Sequence, residues 1–179
     1  MEVINFDKLL LKTAFCCMAC DGDIDSREVS LIKKLQKENK IFGEIDLNAE
    51  LDSLLLAINK DGLQFLRSYF RELKSFKLSA ANELKLIEVA IDTIKADDKV
   101  EYSEIKFFKV IRSKLEIEDE LILEKHPDFE DYLEQDIISE SYLSRLQEDF
   151  FDTHLTKEFK LISEIDSDIL KNLKDENEE

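Results

Sequence analysis

Apolar residues recur at helical spacing over most of the first 126 positions, and the breaks between them fall on acidic, glycine and serine residues. Phe6, Leu10, Ala14 and Cys17 share one face of a helix predicted from Phe6 to about Cys20. Asp25 then reads as an N-cap with Glu28 three residues on, a capping box that opens a second helix carrying Val29, Ile32 and Leu35 and stopping near Asn39. A third helix runs from about Asn48 to Lys60-Asp61-Gly62, with Gly62 placed just past its end. The fourth has Leu63, Leu66, Phe70 and Leu73 as its buried stripe and Arg67, Arg71 and Lys74 along another side. Ser79 caps a fifth helix reaching Lys95, with Leu84, Ile87, Ile91 and Ile94 inward. A sixth, about Ser103 to Leu115, presents Ile105, Phe108 and Ile111, and a short seventh from Glu118 ends before Pro127.

The pattern repeats. The acidic stretch Asp21-Gly22-Asp23-Ile24-Asp25-Ser26-Arg27-Glu28 returns 76 positions later as Asp97-Asp98-Lys99-Val100-Glu101-Tyr102-Ser103-Glu104. Upstream, Leu10, Leu11 and Ala14 fall on Leu86, Ile87 and Ala90; downstream, Ile32 and Leu35 fall on Phe108 and Ile111. Two related halves fused in one chain are therefore expected, with residues 1–127 as the repeated body and 128–179 as an extension lacking a partner in the repeat. Tyr132, Leu133, Ile137, Tyr142, Leu146, Phe150 and Phe151 make that extension too apolar for full disorder, so helical pieces packing back on the body are expected there, with a frayed end from Lys171.

Composition narrows the class. Only 3 Gly and 1 Pro in 179 residues, with 44% hydrophobic residues, leave few turns for strands and enough apolar surface for one core. The expected fold is all-α, a compact bundle of about seven helices with an acidic helical C-terminal extension. The net charge of −17 disfavours nucleic acid. It is uneven: residues 1–115 hold 19 Lys/Arg against 20 Asp/Glu, so residues 116–179 hold 6 against 22, a net of −16. No apolar run reaches the roughly 18 to 20 residues of a membrane span, and Met1 to Asp7 lacks a signal-peptide pattern, so a cytoplasmic location is expected.

The stretch Ala19-Cys20-Asp21-Gly22-Asp23-Ile24-Asp25-Ser26-Arg27-Glu28, closing one apolar helix and opening another, with a degenerate copy in the second half, resembles the TerB (tellurite-resistance) family over roughly residues 7–126. The resemblance implies a bacterial, compact helical domain of two related halves linked to tellurite and other stress resistance. It also implies no catalysis, and association with other components, including membrane proteins, through which a peripheral link to a membrane is expected. Metal binding at the acidic loops is part of what it implies: a divalent cation of unassigned identity, held by Asp21, Asp23, Asp25 and Glu28 in the first copy and by Asp97, Asp98, Glu101 and Glu104 in the second. The second copy departs from the pattern, with Asp98 in the place of Gly22 and Lys99 in the place of Asp23.

Crowded carboxylates repel one another, and a hard divalent ion relieves that repulsion through oxygen ligands. The loop is not an EF-hand: counting from Asp21, Ser26 stands where the turn needs Gly and Ile32 where the bidentate Glu belongs. Two readings stay open, helix caps alone or caps plus a weak cation site. Cys16, Cys17 and Cys20 are either small buried helix residues or thiols with chemistry, since no fourth ligand for zinc lies nearby. His126 reads as a helix-end residue and His154 as a surface one. No nucleophile elbow, phosphate loop or His-Glu-x-x-His is present, so enzyme activity is not expected. The leading expectation is a non-enzymatic, TerB-like stress-response module that binds a protein partner. The alternative is an acidic inhibitor or immunity-type protein whose C-terminal third masks a basic surface.

Overall fold

A computed structural model describes residues 5–20, 22–133, 159–162 and 164–166. Among them every regular element is helical: α1 (Phe6–Ala19), α2 (Ser26–Asn39), α3 (Leu47–Lys60), α4 (Gly62–Ser75), α5 (Ala80–Ile94), α6 (Tyr102–Arg112), α7 (Asp119–Leu123), a 3-10 turn (Pro127–Phe129) and α8 (Glu130–Leu133). The all-α bundle expected from the sequence is what forms. No helix among the described residues is long and apolar enough to cross a membrane.

The helices start where short polar side chains take up the free N–H groups of a first turn. Asn5, Asp25, Asp46, Asp61 and Ser79 each accept such a bond, and Asp25 with Glu28 completes the capping box. One break differs from expectation. Gly62 does not sit beyond α3 in a left-handed turn; it is the first residue of α4, and Asp61 serves both helices. Its extended backbone (φ −159°, ψ 91°) ends α3, while its carboxylate accepts from the Gln64 N–H at 3.0 Å to start α4. A carboxylate at a helix N-terminus supplies what glycine cannot.

The core is built around α1 and α5, the matching helices of the two halves. Leu10 and Leu86, Leu11 and Ile87, and Ala14 and Ala90 are all buried at or near 0% exposure, and the alanines leave room for the two helices to approach closely. Packing reaches across the halves: α2 lies against α5, and α6 lies against α1 as well as α5, with Ile32 and its counterpart Phe108 fully buried. On the outside, α3 and α4 cover α1 while α7 covers α5. The buried stripe of α4 is wider than its periodicity suggested. Phe65 and Tyr69 are inside with Leu66, Phe70 and Leu73, whereas Leu63 is only half-buried, as are Leu84 on α5 and Ile105 on α6. Beyond Pro127 the chain keeps contributing: Phe129 stands edge-on to Phe108 at 5.3 Å, and Leu133 is buried.

Of the expected packing of the extension on the body, the described pieces 159–162 and 164–166 can be placed. The Asn59 side chain donates to the Phe159 carbonyl at 3.0 Å and accepts from the Phe159 N–H at 2.9 Å. Asp52 accepts from the Ile162 N–H at 3.0 Å, and Lys33 pairs with both oxygens of Asp166. Ile162 is buried at 1% exposure. Ile137, Tyr142, Leu146, Phe150, Phe151, His154 and the chain end from Lys171 lie outside the described residues.

Candidate functional site

The repeat is visible in the backbone of its loops. Gly22 has φ +85°, and Asp98, 76 positions on, has φ +60°. Glycine enters that left-handed region at no cost, and aspartate is among the few other residues that tolerate it. Asp98 therefore fills Gly22's place because the turn is the same. Asp98→Gly is expected to change stability by less than about 0.5 kcal/mol, while Gly22→Ala should cost about 1–2 kcal/mol, as read by urea unfolding. A loss at Asp98→Gly as large as that at Gly22→Ala would show that the carboxylate, not the backbone, is what position 98 requires.

After each turn an apolar residue, Ile24 or Val100, packs on the core, and the next residue caps a helix. In the first loop the Asp25 carboxylate accepts from the Arg27 N–H at 2.7 Å while Glu28 accepts from the Asp25 N–H at 2.9 Å. In the second, Glu104 accepts from the Glu101 N–H at 2.6 Å. Glu28 and Glu104 are buried at 6% and 5%, turned inward toward these backbone groups.

The two loops meet through Arg27. Its Nε and Nη2 each lie 3.0 Å from an oxygen of Asp25, the fork geometry that suits a carboxylate. Its Nη1 donates to the Asp97 carbonyl at 3.2 Å, and Nη2 is 3.8 Å from the Asp97 carboxylate. The hydrogen bonds from Arg27, opposed in part by burial, hold Asp25 below the usual carboxylate range. Lys99 pairs with Glu101 in the same way within the second loop. Asp97 Oδ1 accepts from the Lys99 N–H at 3.0 Å, bracing its turn, and Asp23 Oδ1 accepts from the Ile24 N–H at 3.1 Å.

Of the eight carboxylates, then, Asp25 and Asp97 are brought to one guanidinium, Glu28 and Glu104 face inward, Glu101 has a lysine, Asp23 and Asp98 are exposed, and Asp21 lies outside the described residues. Among the described residues no three His, Cys, Asp or Glu side chains gather as a metal-holding group. Most described oxygens already receive backbone N–H groups or a side-chain cation. Sequence reasoning missed Arg27. The local signal was a basic residue two places after an acidic cap, but its contact 70 positions away is a product of the fold.

Beneath the loops the three cysteines are buried at the end of α1. Burial above all pushes the Cys17 thiol up, with Cys16, Glu104 and Glu28 adding to the effect, so carboxylates of both loops bear on one thiol. Burial likewise raises Cys16, against the pull of Lys12. Thiols held in the neutral form favour the packing role over thiol chemistry. Cys16 and Cys20 line a small cavity of about 10 Å³ with Ala19, Ile58, Phe65, Leu66 and Phe107, room for about one water.

No protein family, curated protein or solved structure matches this chain.

Proposed function

We propose that the chain is a non-enzymatic, TerB-like stress-response module that acts by binding a protein partner, with a divalent cation at its acidic loops as the regulator. The observation that carries this reading is the meeting of two loops from distant parts of the chain across Arg27. Both loops are braced by caps and lie at one place on the surface, so a charge change there acts on both halves together. The guanidinium already neutralises Asp25 and leans on Asp97, which makes an added ion a competitor for Arg27. Asp21, Asp23 and Asp98 supply the remaining acidic oxygens of the reading, and a hard ion such as Ca²⁺ or Mg²⁺ is the class they suit.

The test is thermal unfolding of metal-stripped protein titrated with Ca²⁺, Mg²⁺, Mn²⁺ and Zn²⁺. One ion is expected to raise Tm at micromolar concentration, with the gain lost in Asp23→Ala and enlarged in Arg27→Gln. No gain from any ion would reduce the loops to helix caps and remove the cation from the reading.

One observation favours the alternative of an acidic C-terminal third that masks a basic surface: Asp166 from that third seeks a lysine within its own chain. Removing residues 128–179 would also remove buried Phe129, Leu133 and Ile162, so the full chain is the material to use. Partner binding that collapses between low and high salt, with the loops intact, would favour masking.

A further inference from the structure

The contacts of residues 159–166 have the form of peptide recognition. Asn59 and Asp52 bond to backbone groups of the segment, the N–H and carbonyl of Phe159 and the N–H of Ile162. Asn59 meets Phe159, and Asp52, seven residues earlier on α3, meets Ile162, so the segment runs opposite in direction to the helix. Backbone readout of this kind accepts many sequences, and selection falls to the anchors.

There are two anchors. Ile162 is the one described side chain of the segment that is fully buried, while Phe159, Leu161 and Ile165 pack on the core only in part. At Ile162 the chain enters a helical turn, with the Leu161 carbonyl accepting from the N–H groups of Glu164 and Ile165. This turn delivers Asp166 to Lys33 of α2, where both carboxylate oxygens lie within 2.9 Å of Nζ. Lys34 and Lys37 follow on the same helix, a setting that favours acid at this end of a ligand. At the other helix Leu56, between Asp52 and Asn59 in sequence, is 62% exposed, so apolar surface continues beyond what the segment covers.

We propose that the surface between α2 and α3 is a docking groove for a peptide of a partner protein, with an apolar anchor and an acid four residues after it, and that residues 159–166 occupy it in cis as an intrinsic competitor. The inference rests on the partner-binding reading above. Because the ion titration reports on the loops and the peptide titration on the groove, either can fail alone. The segment's tether keeps it at high local concentration, so the intact chain admits a partner only at a discount.

The probe is a fluorescein-labelled peptide of residues 159–166 added to the full chain. Ile162→Asp in the chain should empty the groove and bind the peptide at least tenfold more tightly than the wild-type chain. Asn59→Ala on that background should lose most of the gain. Asp166→Lys in the chain, which loosens the segment at a half-buried ion pair without touching the core, should give an intermediate gain and serves if Ile162→Asp fails to fold. Lys33→Glu combined with Ile162→Asp should weaken the normal peptide and be rescued by a peptide carrying Asp166→Lys. Equal peptide affinity in the wild-type and both opened chains would overturn the proposal. So would an opened chain that trades segments to form a dimer on sizing and takes up no more peptide.

Discussion

Phe108→Ala is expected to cost about 3–5 kcal/mol, at the upper end of what a single side chain contributes. The ring is fully buried on α6, where it stands edge-on to Phe129 and closes the second half against α1. Deleting it removes that aromatic contact and leaves a cavity that the packed helices can only partly fill. A domain is stable by only about 5–15 kcal/mol, so the variant should be near its unfolding midpoint in mild urea. Ile32→Ala at the matching place on α2 should cost about 2–5 kcal/mol, on the lower side because less volume is removed. Urea unfolding followed by far-UV circular dichroism reads both, and a loss under about 1 kcal/mol at Phe108 would mean that α6 is not part of the core.

The second large effect is an asymmetry between two partners of one hydrogen bond. The Tyr69 hydroxyl, in a fully buried side chain, donates to Thr13 Oγ1 at 3.0 Å, and Thr13 passes its own proton to the Leu9 carbonyl at 2.9 Å. Thr13→Val keeps the shape of α1 and strands the tyrosine hydroxyl without an acceptor, which should cost about 1–3 kcal/mol. Tyr69→Phe removes the hydroxyl itself and leaves Thr13 bonded to Leu9, so it should cost about 1 kcal/mol or less. The double variant should be no worse than Thr13→Val alone, because the stranded group is gone. A larger loss in Tyr69→Phe than in Thr13→Val would reverse this assignment of donor and acceptor.

What the sequence made legible is what local chemistry decides. The caps at Asp25 and Ser79 and the start of the seventh helix at Glu118 sit where short acidic or hydroxyl side chains precede an apolar period. The repeat was legible because matching positions carry matching apolar residues, and the buried pairs on α1 and α5 follow it. The width of a buried face was not. Phe65, Tyr69 and Phe107 meet one another's neighbours from α4 and α6, with Tyr69 and Phe107 ring centroids 6.4 Å apart, and a single-stripe reading of either helix overlooks the second contact. Gly43 was silent too. Its φ of +70° favours glycine, and an added Cβ would stand 2.3 Å from the Asp7 carboxylate and push that side chain aside, yet a lone glycine in a loop says nothing of a neighbour 36 positions earlier. Of the candidate site, the capping box could be read from spacing, whereas the shared turn shows only in the backbone, because Asp98 in the place of Gly22 reads as a departure. The bridge from Arg27 to Asp97 could not, because exposed charges carry no period that tells where they will reach.

The crossed packing of α2 on α5 and α6 on α1 has a kinetic consequence. Helical proteins usually fold fast because most contacts join near neighbours in the chain. Here the central pair, α1 and α5, must be joined across the intervening three helices, and closing so long a loop is entropically costly before any burial offsets it. Each half covers part of its own central helix, α3 and α4 on α1 and α6 and α7 on α5, but the face that α1 and α5 share is buried only when both halves are present. The chain should therefore reach its native state late and all at once, with a rate-limiting step that resembles the association of two subunits more than the zipping of a bundle.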